Sequence, residues 1–261
     1  MDWLEALYGE DEKPLDRLVD GYSRTSVFRT IGFIGDSLSS GEFETVDPEG
    51  KKGYYDLYEY SWGQYIARKN GLKAYNFSRG GMTTKEYMES FAEERGFWDP
   101  EKACQCYVIA LGVNDFNRGA EVGSLADVHP EDWRRNAPTF TGYYAAIVSR
   151  YKEISPDARF FFVTFPRPLK KGQEQIRLSA IRQIYQLAEH FDNAYVIDLY
   201  QYAPEFDDRW SHHFRLNGHL NPSGYILIAQ MVDSYIDYIV RHNPDDFRQA
   251  GFINSGIQYK F

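Results

Sequence analysis

Cysteine is nearly absent. The 261 residues hold only Cys104 and Cys106, so no disulfide framework can support the fold. The two are read as lying two apart on one strand, pointing to the same face and poorly placed for a bridge. Buried structural thiols are expected here in preference to a Cys-His nucleophile pair. No stretch has the length and apolarity of a membrane span. The amino terminus, Met1-Asp2-Trp3-Leu4-Glu5 through Pro14, is acidic and has no apolar run of signal-peptide length. Free thiols without a leader point to the cytoplasm. Basic residues are outnumbered, 29 Lys and Arg against 38 Asp and Glu, which argues against a nucleic-acid partner. Internal repeats, low-complexity tracts and linkers are also missing, so residues 1–261 are read as a single domain.

Hydrophobic residues make up 43% of the chain, enough for a substantial core. Apolar runs of strand length recur at residues 30–35, 73–77, 106–112, 160–165 and 195–199. They are mostly continuous, as expected of parallel strands covered on both faces. Between them lie helical patterns. Phe140, Tyr144, Ile147, Val148 and Tyr151 form one, Ile181, Ile184 and Ala188 another, and Tyr225, Ile228, Val232, Tyr235 and Ile239 the last. Asn221 as N-cap and Pro222 at the first helical position mark where the last begins. Alternating strands and helices predict an α/β protein, a three-layer αβα sandwich with right-handed crossovers. Residues 1–28 precede the first strand as an extension. Residues 42–60, acidic and rich in tyrosine, are read as a loop placed for a lid or cleft wall.

Four short blocks carry chemistry. Gly35-Asp36-Ser37-Leu38 follows the first strand and sets a serine hydroxyl at the carboxyl end of the sheet, where open α/β proteins build their sites. Asn76-Phe77-Ser78-Arg79-Gly80-Gly81-Met82-Thr83 follows the second. Leu111-Gly112-Val113-Asn114-Asp115 follows the third, and Gly218-His219-Leu220-Asn221-Pro222 opens the last helix. Each alone is equally well a turn, a helix cap or a surface histidine; in this order they are far more specific. The chain resembles the SGNH, or GDSL-type, hydrolases over roughly residues 30–240.

The resemblance implies a five-stranded parallel sheet in flavodoxin-like order and a serine esterase or acylhydrolase without a cofactor. Ser37 would be the nucleophile and His219 its base, because a neutral serine needs a base within hydrogen-bond reach. The backbone N–H groups of Ser37 and Gly81 and the side chain of Asn114 would hold the oxyanion, with the glycine assignment open to a slip onto Gly80. Asp36 is expected to shape the turn, tied to backbone or side-chain donors. One position departs from the family pattern. The aspartate that usually stands three residues before the histidine is replaced by Leu216, which accepts no hydrogen bond. Asp208, Asp207, Asp198 or a backbone carbonyl are the candidates to orient His219.

His212, His213, Asp207, Asp208 and His219 could be read as a metal cluster, but no His-x-x-x-His helical pair supports it and no metal is expected. Gly32-x-x-Gly35 lacks the third glycine of a dinucleotide loop. The expected substrate is a small-molecule or carbohydrate ester with a short or acetyl acyl group, suggested by Tyr54, Tyr55, Tyr58 and Tyr60 and by the lack of a long apolar lid. Two alternatives stay open: a non-catalytic ligand-binding module, favoured by Leu216, and an acyltransferase on the same scaffold.

Overall fold

The structure, a computed structural model, describes residues 7–9, 11–168 and 170–257; the acidic opening Met1-Asp2-Trp3-Leu4-Glu5 lies outside them. The strands are β1 (Thr30–Gly35), β2 (Glu42–Val46), β3 (Lys52–Asp56), β4 (Lys73–Ser78), β5 (Cys106–Ala110), β6 (Arg159–Val163) and β7 (Ala194–Ile197). Five of them form one sheet in the order β4-β1-β5-β6-β7, and every neighbouring pair in it is parallel. Counting only these five, the order is 2-1-3-4-5, the flavodoxin-like arrangement. The chain direction across the sheet reverses at β1, between β4 and β5, and that crevice is where such sheets bind ligands.

The continuous apolar runs are explained by burial on both faces. In β6, all five residues are buried. Phe161 and Val163 join Phe33, Cys106 and Val108 on one face, while Phe160 and Phe162 join Tyr107 and Ile109 on the other. Helices α2 (Trp62–Asn70) and α6 (Pro222–His242) cover the first face; α3 (Phe140–Ile154) and α4 (Glu174–His190) cover the second. The result is the three-layer sandwich. Helix α6 opens on Asn221, whose Oδ1 accepts from Gly224 N at 2.8 Å, with Pro222 at its first position.

Three expectations are corrected. First, β5 begins at Cys106, so the alternation of a strand does not reach Cys104; the two free thiols lie in the two opposite cores, both buried. Second, β5 stops at Ala110, short of Gly112, whose φ of 125° turns the chain out of the sheet. Third, residues 42–60 are not a loop throughout: β2 and β3 pair as an antiparallel hairpin around Asp47-Pro48-Glu49-Gly50. Asp47 Oδ1 accepts from Lys51 N at 2.7 Å, and Gly50 takes a φ of 82°, as a tight reversal requires. The described part of the extension docks on α6, where Ser23 Oγ and Thr25 Oγ1 donate to Asp233 Oδ1 at 2.6 and 2.7 Å.

Candidate active site

The first block is a strand-to-helix turn. Ser37 begins the one-turn helix α1 (Ser37–Ser40) directly after β1, and Asp36 caps it by accepting from Leu38 N at 3.1 Å. Gly41 ends the turn in the left-handed region, with no room for a Cβ beside the Leu57 carbonyl. This short helix holds Ser37 beside a cavity of about 210 Å³, which His219 also lines.

The second and third blocks meet above the switch point. Asp115 accepts from both the N–H and the hydroxyl of Thr84, at 3.0 and 2.5 Å, and so ties the two loops together. Gly81 has a φ of 72°, and its carbonyl accepts from Arg118 Nη2 at 2.9 Å. Among the described residues its N–H finds no acceptor. Gly80 serves a different end: a Cβ there would lie 2.1 Å from Glu42 Oε2, so its bare backbone makes room for that carboxylate. Asn114 Nδ2 donates to Met82 O at 3.2 Å and to Asp36 Oδ2 at 3.3 Å. Both amide hydrogens are therefore engaged, and Asp36 is tied to donors as expected. Burial raises the Asp36 carboxyl to about 6 despite the Leu38 N–H and the nearby His219.

His219 sits in a two-residue ladder, Arg215–Leu216 against His219–Leu220, turned by Asn217 at φ 56°. Leu216, the place of the usual aspartate, is exposed. The ring is instead held between two carboxylates of β2. Glu44 Oε2 lies 3.2 Å from Nδ1, and Glu42 Oε1 lies 3.0 Å from Nε2. Tyr54, opposite Glu44 in the hairpin, packs its ring edge-on to the imidazole at 5.9 Å.

The two acids are not equivalent. Glu44 is only 3% exposed and accepts from Gly218 N at 3.1 Å, while Lys52 Nζ reaches its other oxygen at 2.6 Å. Lys52, His219 and Gly218 together hold its carboxyl below the usual glutamate range. A Cβ on Gly218 would come within 2.5 Å of Glu44 Oε2, so only glycine lets the acid approach here. For Glu42, burial dominates and raises the carboxyl, with Asp56 and Glu44 adding repulsion and His219 opposing the rise. Paired acids pushed in opposite directions are a mark of divided roles. A contact at 3.0 Å between Nε2 and a carboxylate also needs a proton between two acceptors. That proton sits where a serine hydroxyl would have to donate.

The sequence-based candidates for the orienting acid are used elsewhere. Asp198 accepts from Thr164 Oγ1, Tyr185 OH and Gln201 N. Asp207 caps helix α5 (Asp208–Phe214) through Trp210 N. Asp208 is the first residue of that helix. The partners of His219 are Glu42 and Glu44, which the sequence reading missed. The only local signal was their alternation, Glu42-Phe43-Glu44, ahead of a turn sequence. Among the described residues no group of three His, Cys, Asp or Glu is placed to hold a metal ion.

Residues 33–227 match the GDSL-like Lipase/Acylhydrolase family. The chain belongs to this family. The GDSL-like chain is also similar to solved structures of carbohydrate esterases, at identities that bear on the fold alone. One is a family two carbohydrate esterase from Clostridium thermocellum in complex with cellohexaose, 18% identical, with a TM-score of 0.57 over 86% of this chain and 67% of that one. Another is a carbohydrate esterase family 2 enzyme with a carbohydrate-binding domain from Myceliophthora fergusii, 13% identical, with a TM-score of 0.55 over 86% and 69%. A third is a carbohydrate esterase whose active site displays divergent catalytic and non-catalytic binding functions, 15% identical, with a TM-score of 0.53 over 80% and 68%. No curated protein matches significantly. No helix among the described residues of this GDSL-like protein is long and apolar enough to cross a membrane.

Proposed function

We propose that this protein is a serine ester hydrolase in which Ser37 is the nucleophile, His219 the base and Glu44 the acid that orients it. The observation that carries the reading is that Ser37 and His219 line one cavity at the switch point while Glu44 holds Nδ1. Glu44 does from β2 what an aspartate at position 216 would do. It fixes the tautomer with the proton on Nδ1 and stabilises the charged ring.

Catalysis requires Glu42 to leave Nε2 as substrate enters, carrying away the proton held between them. Ser37 Oγ then attacks the ester carbonyl and passes its proton to Nε2. The tetrahedral oxyanion is received by the N–H groups of Ser37 and Gly81 and by Asn114. Asn114 reaches it by exchanging Asp36 for the oxyanion. The C–O bond to the alcohol breaks as Nε2 returns the proton to the leaving oxygen. Water, deprotonated by the same nitrogen, then hydrolyses the acyl-enzyme. No step calls for a cofactor.

The alcohol side of the ester is proposed to be carbohydrate. Tyr54, Tyr55 and Tyr60 expose their rings on and beside the hairpin, Tyr54 against His219, surfaces suited to stacking on sugar faces, and the structural neighbours include esterases of carbohydrates. Acetyl and other short acyl groups are small enough for the cavity. The test is hydrolysis of p-nitrophenyl acetate and of an acetylated oligosaccharide, with Ser37→Ala as control. Turnover that Ser37→Ala removes supports the reading; equal turnover in the variant overturns it.

A second reading rests on the engagement of Nε2 by Glu42 and of Asn114 by Asp36: a binding module that keeps the cleft without the chemistry. It predicts oligosaccharide binding with no release of acid or alcohol. Transfer of the acyl group to an added alcohol, in competition with water, would instead reveal an acyltransferase.

A further inference from the structure

The cavity beside Ser37 is larger than an acetyl group needs, and two of the residues lining it each carry a buried polar atom with no partner. Its volume is about 210 Å³. A cavity of about 150 Å³ with aliphatic and aromatic walls already holds benzene, so this chamber has room for a ring and a short extension. Its walls are mainly apolar, with Trp62, Val163, Phe165, Leu199, Phe206 and Val232 among them. Phe206 and Trp210 form one wall, their rings stacked 3.8 Å apart and 3° from parallel. Yet Ser39 Oγ and Trp210 Nε1 are buried without any hydrogen-bond partner, and both residues line this chamber. A buried donor left without an acceptor is destabilising, and two beside one small cavity are unusual. Arg215 lines it too, its guanidinium 5.9 Å from the Trp210 ring. It has no acid partner among the described residues.

We propose that the chamber is the acyl-binding site and that it selects an acyl group built on a ring, with a hydrogen-bond acceptor oxygen at its far end directed to the Trp210 indole N–H. The proposal rests on the serine hydrolase reading, because Ser37 must carry the acyl group into the chamber. It also revises the expectation of short acyl groups: these are turned over, but the walls reward a larger one. The apolar ring replaces empty space, the far oxygen accepts from Trp210, and the positive charge of Arg215 favours an acceptor there over a donor.

The test compares kcat/KM for the p-nitrophenyl esters of acetic, 3-phenylpropanoic and 3-(4-methoxyphenyl)propanoic acids. The phenylpropanoate should exceed the acetate by about tenfold or more, and the methoxy compound should exceed the phenyl one by about three- to tenfold, the return on one buried hydrogen bond. Trp210→Phe keeps a ring against Phe206 but has no N–H, and should bring the methoxy-to-phenyl ratio towards one. Val232→Phe narrows the chamber and should reverse the preference for either ring over acetate. Calorimetric binding of the two free acids reads occupancy without chemistry, and the methoxy acid should bind tighter in the native protein alone. If Ser37 hydrolyses acetate faster than either ring ester and neither acid binds, the chamber proposal is overturned while the hydrolase reading stands. If the acids bind with the predicted ratio but no ester is turned over, the hydrolase reading fails and the chamber is a ligand site.

Discussion

Nδ1 of His219 lies 3.2 Å from Oε2 of Glu44, and Glu44 reaches it from a strand 175 residues earlier in the chain. The contact is partly buried, and the acid is held on its other oxygen by Lys52. A carboxylate so fixed can keep the imidazole in one tautomer, the part that Leu216 cannot play. Glu44→Gln should lower kcat by about 10²- to 10⁴-fold, on the scale of neutralising the orienting acid in a serine protease, with KM little changed. Steady-state kinetics beside a thermal melt separate lost catalysis from lost folding. Equal kcat in a folded variant would remove Glu44 from the mechanism.

Glu42 opposes the same ring from the other side. It contacts Nε2 at 3.0 Å, and burial makes its carboxyl hold a proton more readily than usual. A carboxylate at that position occupies the nitrogen that must take the serine proton. Glu42→Gln should therefore raise kcat/KM, by about three- to tenfold for the loss of one competing contact. Gly80→Ala should act in the same direction, since its methyl would displace the Glu42 carboxylate. An unchanged kcat/KM in both folded variants would mean that Glu42 does not govern Nε2.

Asp36 links stability to pH. Its carboxyl titrates near 6 in the fold against 3.8 ordinarily, so the folded state binds the extra proton between these values. Stability from this group is present below about pH 4 and is lost as pH rises through 6. The loss is of order 1–3 kcal/mol, because each tenfold gain in proton affinity on folding is worth about 1.36 kcal/mol. Denaturant unfolding between about pH 4 and 7 should show that loss in the native protein and a smaller one in Asp36→Asn. Parallel curves for the two proteins would contradict the assignment.

Much of this arrangement was legible in the sequence, and the exceptions have a common cause. Continuous apolar runs placed all five sheet strands, because burial on both faces leaves little choice of residue. Asn221-Pro222 marked the start of α6 because capping is local chemistry. Ser37, Gly81, Asn114 and His219 come to one edge of the sheet for the same reason: each block directly follows a strand or opens a helix. Glu44 was hidden because its role depends on a hairpin that folds back over the site, and nothing within a few residues of it states that. The two cysteines were misplaced because the alternation of a strand was carried back to Cys104, which lies before β5 begins. Those thiols give a direct check. Burial raises both far into the alkaline range, so a thiol reagent at about pH 8 should leave the folded protein unmodified and titrate both groups once it is unfolded. Rapid reaction of either in the folded state would refute their burial.

Covalent labelling of Ser37 tests the central claim most directly. An organophosphonate ester probe reacts with a serine only when a base activates it and an oxyanion site receives the phosphoryl oxygen. Intact mass and peptide mapping should show one modification, at Ser37, abolished in His219→Ala and slowed in Glu44→Gln. A folded protein left unmodified, or one labelled at Ser37 equally well without His219, would contradict the account.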